Sequence, residues 1–206
     1  FIRPNKVIQQ WADLTGLERE DMEKVIKITR PNKQFGPPLL PQEKAVYYKM
    51  IRQGHFTGSR CVGQENKRCD QCQETANHIH VFYKCDYAIS VWANLTQKIT
   101  NLLDRKAKYE WNEQQHVLLC IFAKMPDQSD APTWWILLQR ITIRHIWLTY
   151  SSMTYGKGPT PGEPQSQAQA IINTFYNRVK NEFRIMQSRG KMPGHKKQHT
   201  ASLAAF

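Results

Sequence analysis

The chain has 206 residues, of which 40% are hydrophobic and 22 are Phe, Tyr or Trp, and its formal net charge is +12. This length suits one domain or two small ones, and the aromatic residues are enough to build a helical core. No run of about 20 apolar residues occurs, so we expect no membrane-spanning helix and no membrane partner. The chain begins with Phe1 rather than Met, which indicates a piece of a longer protein or a processed product.

The positive charge is concentrated toward the C-terminus. Residues 1–130 carry 19 Lys/Arg against 15 Asp/Glu, whereas residues 131–206 carry 10 against 2. Such an excess favours a polyanionic partner, most simply nucleic acid, although a solubilising tail would give the same count. The five cysteines are an odd number and three lie in one cluster, so we expect a reducing compartment and no disulfide framework.

The first forty residues predict a partly separate N-terminal segment. Apolar spacing predicts one helix over residues 1–15, stopped by Gly16, and a second over residues 18–29 with acidic residues in its first turn. Residues 31–41 contain four prolines and one glycine, which excludes regular structure and predicts an extended linker. We therefore expect residues 1–40 to form a helical segment followed by a proline-rich linker.

Residues 41–95 predict a metal-knuckle region between two helices. Pro41 opens a helix that extends to about residue 53, and a loop then leads to the cysteine cluster. After Cys85 the sequence again has helical periodicity. One face of this long amphipathic helix carries the apolar residues Ala88, Val91, Trp92, Leu95, Ile99, Leu102 and Leu103.

Residues 96–189 predict a helical bundle, and residues 190–206 a disordered basic tail. The apolar run 115–123 contains Cys120, which we interpret as an inert buried thiol. Residues 133–155 are apolar on nearly every side, which is typical of a central helix. A Gly/Pro linker precedes a last helix over residues 165–188. Its apolar face is predicted to contain Ile172, Phe175, Tyr176, Val179, Phe183 and Met186.

The stretch CDQCQETANHIHVFYKC at residues 69–85 has the spacing of a small Zn²⁺ site. Cys69 and Cys72 form the first pair and Cys85 is the fourth ligand. The third is His80, separated from Cys85 by four residues, or alternatively His78. Cys61 is a weaker candidate as a replacement ligand. Four protein ligands close the coordination sphere, so we expect one structural zinc ion and no catalysis by it. The alternative is a metal-free, redox-active or incidental Cys-x-x-Cys pair.

The same stretch resembles the zinc-binding (CCHC) region that follows the polymerase domain in reverse transcriptases of non-LTR (LINE-type) retrotransposons. His80 fits that family's histidine followed by an aliphatic and an aromatic residue, whereas the Glu-Thr-x-x-His form selects His78. The flanks at residues 47–60 and 134–150 also resemble that family. The matching residues of the motif are Cys69, Cys72, Glu74, Thr75, His80, Val81, Phe82, Cys85, Ala88 and Trp92.

The resemblance implies a non-catalytic region of a reverse transcriptase polyprotein. It would hold template RNA and target DNA during target-primed reverse transcription. Its partners would be nucleic acid and the upstream polymerase domain, and its location intracellular, in nucleus and cytoplasm. The chain has neither an Asp-Asp pair that would hold two metals nor a Gly-rich phosphate loop, and we interpret Pro126-Asp127 as a loop and not a nuclease motif.

Two basic surfaces are candidates for nucleic-acid contact, by phosphate binding or base stacking. Around the metal motif the candidates are Lys67, Arg68, Lys84 and an aromatic residue, Tyr83 or Phe82. On the last helix and tail they are Arg178, Lys180, Arg184, Arg189, Lys191, Lys196 and Lys197.

The alternative function is a structural or protein-interaction module, in which the zinc clip locks helices that dock onto an upstream polymerase domain. The sequence predicts a mainly α fold in either case: a helical bundle with a short zinc-knuckle insertion and extended proline-rich linkers.

Overall fold

The fold of the described residues is mainly helical, as predicted. The computed structural model describes residues 4–16, 18–20, 39–52, 54–55, 57–58, 68–102, 133–156 and 162–188. Within these ranges the only β-pairing is one isolated bridge between residues 68 and 75. The elements are α1 (Pro4–Thr15), α2 (Pro41–Ile51), a π-helical turn (His80–Lys84), α3 (Asp86–Leu102), α4 (Thr133–Tyr155) and α5 (Pro164–Ser188).

Glycines end two of the helices, as helix C-termini commonly require. Gly16 has φ +68° and its N–H donates to the carbonyl of Ala12 over 2.8 Å. Gly156 has φ +64° and donates likewise to Ser152 over 2.9 Å. A left-handed residue after the last turn satisfies a terminal carbonyl, and glycine adopts that conformation without a Cβ clash. The predicted stop of the first helix at Gly16 is therefore confirmed.

Several predictions fall outside the described residues. They are most of the helix over residues 18–29, the linker over 31–38, the run 115–123 with Cys120, the loop at 126–127 and the tail from 190. Across the part of the chain that the structure does describe, no helix is long and apolar enough to cross a bilayer.

Helix α4 is the centre of the bundle, in agreement with its apolar character on all sides. Every residue from 137 to 143 is buried. The helix packs against α2, α5 and the π-helical turn, while α3 packs against α5 and that same turn. The π-helical turn therefore packs against both α3, which follows the metal motif, and the central helix α4.

The N-terminal helix shares this core. Val7, Ile8 and Trp11 are buried in the same apolar cluster as α3 and α4. The Trp11 indole N–H donates to the carbonyl of Ile51 at the end of α2, over 2.6 Å. The predicted boundary between residues 95 and 96 lies within α3, where the backbone is continuous helix.

The predicted apolar face of the last helix needs one correction. Phe175 is buried, and Ile172 and Val179 pack against the core, but the Tyr176 side chain is 43% exposed. Consecutive helical residues differ in direction by about 100°. Tyr176 therefore points away from the direction of Phe175 and toward solvent. The side chains of Phe183 and Met186 are outside the described set.

Candidate metal centre

A tight turn presents the first two cysteines. The backbone N–H of Cys69 donates to the carbonyl of Glu74, and the N–H of Gln73 donates to the carbonyl of Cys69, both over 2.8 Å. Gln73 has φ +61°, an uncommon conformation for a residue with a side chain. This closure folds residues 69–74 back on themselves and directs the sulfurs of Cys69 and Cys72 to the same side.

A short helical segment presents the other two candidate ligands. Asn77 caps its start, because the Asn77 side-chain oxygen accepts the backbone N–H of His80 over 2.9 Å. The Asn77 carbonyl accepts the N–H of Val81, also over 2.9 Å. An N-cap side chain that satisfies the third helical N–H is a common stabiliser of helix starts. The cap thus fixes the backbone of His80 directly.

The segment ends in a π-helical turn that aligns His80 with Cys85. The backbone N–H of Cys85 donates to the carbonyl of His80, five residues earlier, over 2.7 Å. In an α-helix of 3.6 residues per turn, positions five apart differ by about 140° around the axis. The wider π-helical closure brings such positions close to alignment. Both side chains can then point at one centre.

The four side chains converge as a tetrahedral ion requires. One donor atom from each of Cys69, Cys72, His80 and Cys85 lies within 4.8 Å of all the others. The Sγ atoms of Cys69 and Cys85 are 3.6 Å apart, and Cys72 Sγ is 3.2 Å from His80 Nε2. A Zn–S bond of about 2.3 Å gives a tetrahedron edge of about 3.8 Å. The residues therefore fit a metal ion of this geometry.

The start of α3 provides a favourable environment for a thiolate. Cys85 directly precedes Asp86, the first residue of α3, and its sulfur accepts the backbone N–H groups of Tyr87 and Ala88. A helix N-terminus favours negative charge through its free N–H groups and its dipole. The sulfur of Cys69 similarly accepts the N–H groups of Gln71 and Cys72.

The three thiols differ in their affinity for a proton. Hydrogen bonding from the Cys85 thiol, with further help from His80 and backbone N–H groups, lowers the pKa of Cys69 to about 3. The same contact with the Cys69 thiolate raises the pKa of Cys85. Burial is the main reason why the pKa of Cys72 is raised. One thiolate is thus already favoured, and the charge of a bound cation would favour all three.

The structure brings His80, and not His78, to the three thiols. Both imidazoles are buried, but that of His78 lies on the other side of the segment, with its ring centroid 6.2 Å from that of His55. Within the described residues, His80 is the only histidine in the cluster of potential metal ligands. The sequence alone left both histidines open.

The opposite side of the π-helical turn is anchored in the core. Phe82 is fully buried, and its ring lies 5.5 Å from His55 and 6.1 Å from Trp147 of α4, measured between centroids. The Trp92 indole N–H of α3 donates to the Phe82 carbonyl over 2.9 Å. The interpretation of Trp92 as a core residue is therefore confirmed. The prediction that Phe82 is available for base stacking is wrong, because its ring is fully buried in the bundle.

The predicted nucleic-acid contacts have different surroundings. Arg68 and Lys84 are exposed next to metal ligands, and Tyr83 is half-buried. Lys180 and Arg184 are exposed on α5, with Lys180 Nζ 5.8 Å from the Tyr176 ring centroid. Lys67 and Arg189 are outside the described residues, as are Cys61, Lys191, Lys196 and Lys197.

Arg178 is engaged within the fold. Its Nη1 donates to both carboxylate oxygens of Glu43, over 2.6 and 2.7 Å, and the exposed fractions of the two side chains are 18% and 2%. The Glu43 carboxylate also accepts the backbone N–H of Leu40 at the start of α2 over 2.9 Å. This contact joins α2 to α5 and uses the Arg178 charge inside the protein.

Three residues important to the site were not singled out from the sequence. Asn77 is a preferred N-cap residue immediately before a helical stretch, a signal that could have located the start of the segment. Glu43 stands three residues after Leu40 at the start of α2, the capping-box position for an acid. No sequence signal places His55 against Trp147, because that contact depends on tertiary packing.

Comparison of the chain with protein-family models, with curated proteins and with solved structures finds no match.

Proposed function

We propose that this chain is a non-catalytic, zinc-stabilised nucleic-acid-binding region of a LINE-type reverse transcriptase polyprotein, which holds template RNA or target DNA beside the polymerase. The observation that carries the proposal is the convergence of Cys69, Cys72, His80 and Cys85 on one centre. These are the ligand positions of the motif that resembles that family.

The donor set supports zinc as the ion and a structural role for it. Three thiolates and one imidazole are soft and borderline ligands that suit Zn²⁺ better than the oxygen-preferring Mg²⁺ or Ca²⁺. Four protein donors fill a tetrahedron and leave no position for an activated water. When bound, the ion would supply on the order of 10 kcal/mol toward ordering the motif, and it would link the Cys69–Cys72 turn to the start of α3.

Charge supports a polyanionic partner. The chain carries a formal charge of +12, and the described part of α5 presents Lys180 and Arg184 to solvent. Contacts of this type bind phosphates without reading sequence. We therefore propose affinity for nucleic acid with weak sequence preference, in nucleus and cytoplasm, where such a polyprotein would meet its RNA and DNA.

One observation favours the second candidate function for the metal motif itself. Among the described residues at the motif the exposed charges are balanced, because Asp70 and Glu74 oppose Arg68 and Lys84. The motif also packs between α3 and α4. In this reading the zinc clip locks the helices, and the bundle docks onto an upstream polymerase domain of the same polyprotein.

Binding of labelled RNA at several salt concentrations tests the proposal. The zinc-loaded chain should bind with an affinity that falls steeply as salt rises, because cations on the protein replace counterions on the phosphates. Absence of binding at about 50 mM salt would refute the nucleic-acid function and leave the structural one. Arg68→Gln combined with Lys84→Gln then shows whether the motif touches nucleic acid. An unchanged salt dependence in that variant assigns binding to the helices.

A further inference from the structure

The outward face of α2 carries an unassigned strip of cations around a tyrosine. Lys44, Tyr48 and Arg52 follow one another at intervals of four residues, so they lie on neighbouring turns of one helix face. Lys49 extends the strip at its side. Lys44, Tyr48 and Lys49 are exposed, and Arg52 is half-buried just past the helix end. At 1.5 Å per residue, the strip is about 12 Å long.

The strip has no negative charge of its own. The single acidic residue of α2 is Glu43, which points into the protein and is neutralised by Arg178. Among the described residues, no carboxylate pairs with Lys44, Lys49 or Arg52. Within the part of the chain that the structure describes, the three cations on the outside of α2 therefore have no carboxylate partner. At the metal motif, by contrast, the described exposed charges include two carboxylates beside two cations.

The tyrosine at the centre of the strip is placed to receive a flat ring. The Tyr48 side chain is 40% exposed, unlike the neighbouring Tyr47, which is buried. The Arg52 guanidinium carbon lies 5.5 Å from the Tyr48 ring centroid. An exposed aromatic ring flanked by guanidinium and ammonium groups is how sequence-tolerant proteins hold a single strand, with bases stacked on the ring and phosphates on the cations.

We propose that Lys44, Tyr48, Lys49 and Arg52 form a binding strip for single-stranded nucleic acid, in which one unpaired base stacks on Tyr48 and the adjacent phosphates contact the three cations. This inference rests on the proposed function and specifies which surface and which form of nucleic acid it uses. A duplex keeps its bases inside the stack and offers Tyr48 only its backbone, so the strip distinguishes single strands from duplexes.

The test uses the full zinc-loaded chain with a fluorescent 20-nucleotide RNA of mixed sequence and with the duplex of the same sequence. Tyr48→Leu should weaken single-strand binding about tenfold through loss of stacking, with little effect on the duplex. Tyr48→Phe keeps the ring and should bind within about twofold of wild type. Circular dichroism and zinc content confirm that each variant is folded.

The charge component is tested with the triple variant Lys44→Gln, Lys49→Gln, Arg52→Gln. Its slope of log affinity against log salt should be shallower by about 2, from about 0.7 for each phosphate contact to a single strand. Lys98→Gln is the matched control. It removes one charge from a lysine on α3 that is hydrogen-bonded to Gln169, and it should affect affinity less than Lys44→Gln alone.

The outcomes separate this inference from the function on which it rests. If wild type binds no RNA, both fail. If wild type binds RNA but Tyr48→Leu binds the single strand equally well, or the triple variant keeps the wild-type salt slope, the strip is refuted and the general function stands. A triple variant that binds RNA normally but loses binding to poly-glutamate would assign the strip to an acidic protein instead.

Discussion

The backbone N–H of Cys85 donates to the carbonyl of His80 across a five-residue π-helical closure, over 2.7 Å. This hydrogen bond determines which histidine can share a metal ion with Cys85. The closure aligns positions 80 and 85, while His78 is directed toward His55 and the aromatic core. A rare local backbone form thus completes the ligand set.

The first prediction follows from this alignment. His80→Ala should lose the zinc ion, whereas His78→Ala should retain one ion per chain, because its ring is not among the donors. Native mass spectrometry and competition with a chromogenic chelator give the stoichiometry and affinity. Cys85→Ser should behave as His80→Ala does. If a folded His78→Ala chain lost its zinc, His78 would be needed for metal binding and this prediction would be wrong.

The second prediction concerns the cap that positions His80. Asn77→Ala removes the oxygen that accepts the His80 N–H and should reduce the free energy of unfolding by about 1 kcal/mol. Because the cap holds a ligand, zinc affinity should fall as well. Asn77→Asp and Asn77→Ser can still accept that N–H and should restore most of both quantities. A variant Asn77→Ala with wild-type zinc affinity would show that the π-helical turn holds His80 unaided.

The helices were predictable because they follow from local patterns. The apolar periodicity of α3, the continuous apolar character of α4 and the stop at Gly16 each depend on residues close in sequence. The structure confirms the helical class, the buried position of Trp92 and the central place of α4. The motif spacing likewise identified Cys69, Cys72 and Cys85 and gave His80 as the third ligand, with His78 as the alternative; the structure brings the first three together with His80.

The remaining features depend on contacts between distant residues. The choice of His80 over His78 depends on a π-helical turn, which apolar periodicity does not reveal. Glu43 and Arg178 are 135 positions apart, so no local sequence pattern could show that Arg178 is paired inside the protein. Phe82 was named, with Tyr83, as available for base stacking, but its ring is buried and packs against the rings of His55 and Trp147.

The third prediction concerns backbone strain in the cysteine turn. Gln73 has φ +61°, and a left-handed conformation costs a residue with a Cβ about 1 kcal/mol. Gln73→Gly should therefore stabilise the zinc-loaded chain slightly, while the β-branched Gln73→Ile should destabilise it by about 1–2 kcal/mol. Urea unfolding measures both changes. In the same turn, Gln71→Gly is the control; φ is not positive at Gln71, so glycine there should destabilise.

The fourth prediction concerns the ion pair between α2 and α5. Glu43→Ala removes the partner of Arg178 and the acceptor of the Leu40 N–H, and should reduce the free energy of unfolding by about 3 kcal/mol. Arg178→Met should also destabilise, since it leaves a buried carboxylate. The double variant Glu43→Ala, Arg178→Met should be less destabilised than these two single changes added together. Strict additivity in urea unfolding would mean that the pair contributes no coupling energy.

The last prediction concerns His55, which is buried against the ring of Trp147 with 4.0 Å between centroids. Its Nε2–H donates to the carbonyl of Val46 over 2.8 Å. Burial lowers the pKa of His55 to about 4; the hydrogen bond to Val46 opposes this shift, and the nearby charge of Lys49 adds to it. The neutral imidazole is therefore the form that fits the folded protein.

Between pH 4 and the unfolded value of 6.5, the unfolded chain binds more protons at His55 than the folded chain does, so the free energy of unfolding rises with pH. The contribution of His55 should be fully present above about pH 6.5 and should decrease by up to about 3 kcal/mol as pH falls toward 4.

Acid also releases zinc from thiolates in every variant, so the comparison is with His55→Gln, whose amide can still donate to Val46 but does not titrate. Urea unfolding at intervals from pH 7.5 to 4.5 should give a steeper decline for wild type than for His55→Gln, because only wild type must protonate a buried ring. Parallel curves would show that His55 is already hydrated in the folded protein and does not contribute to its acid sensitivity.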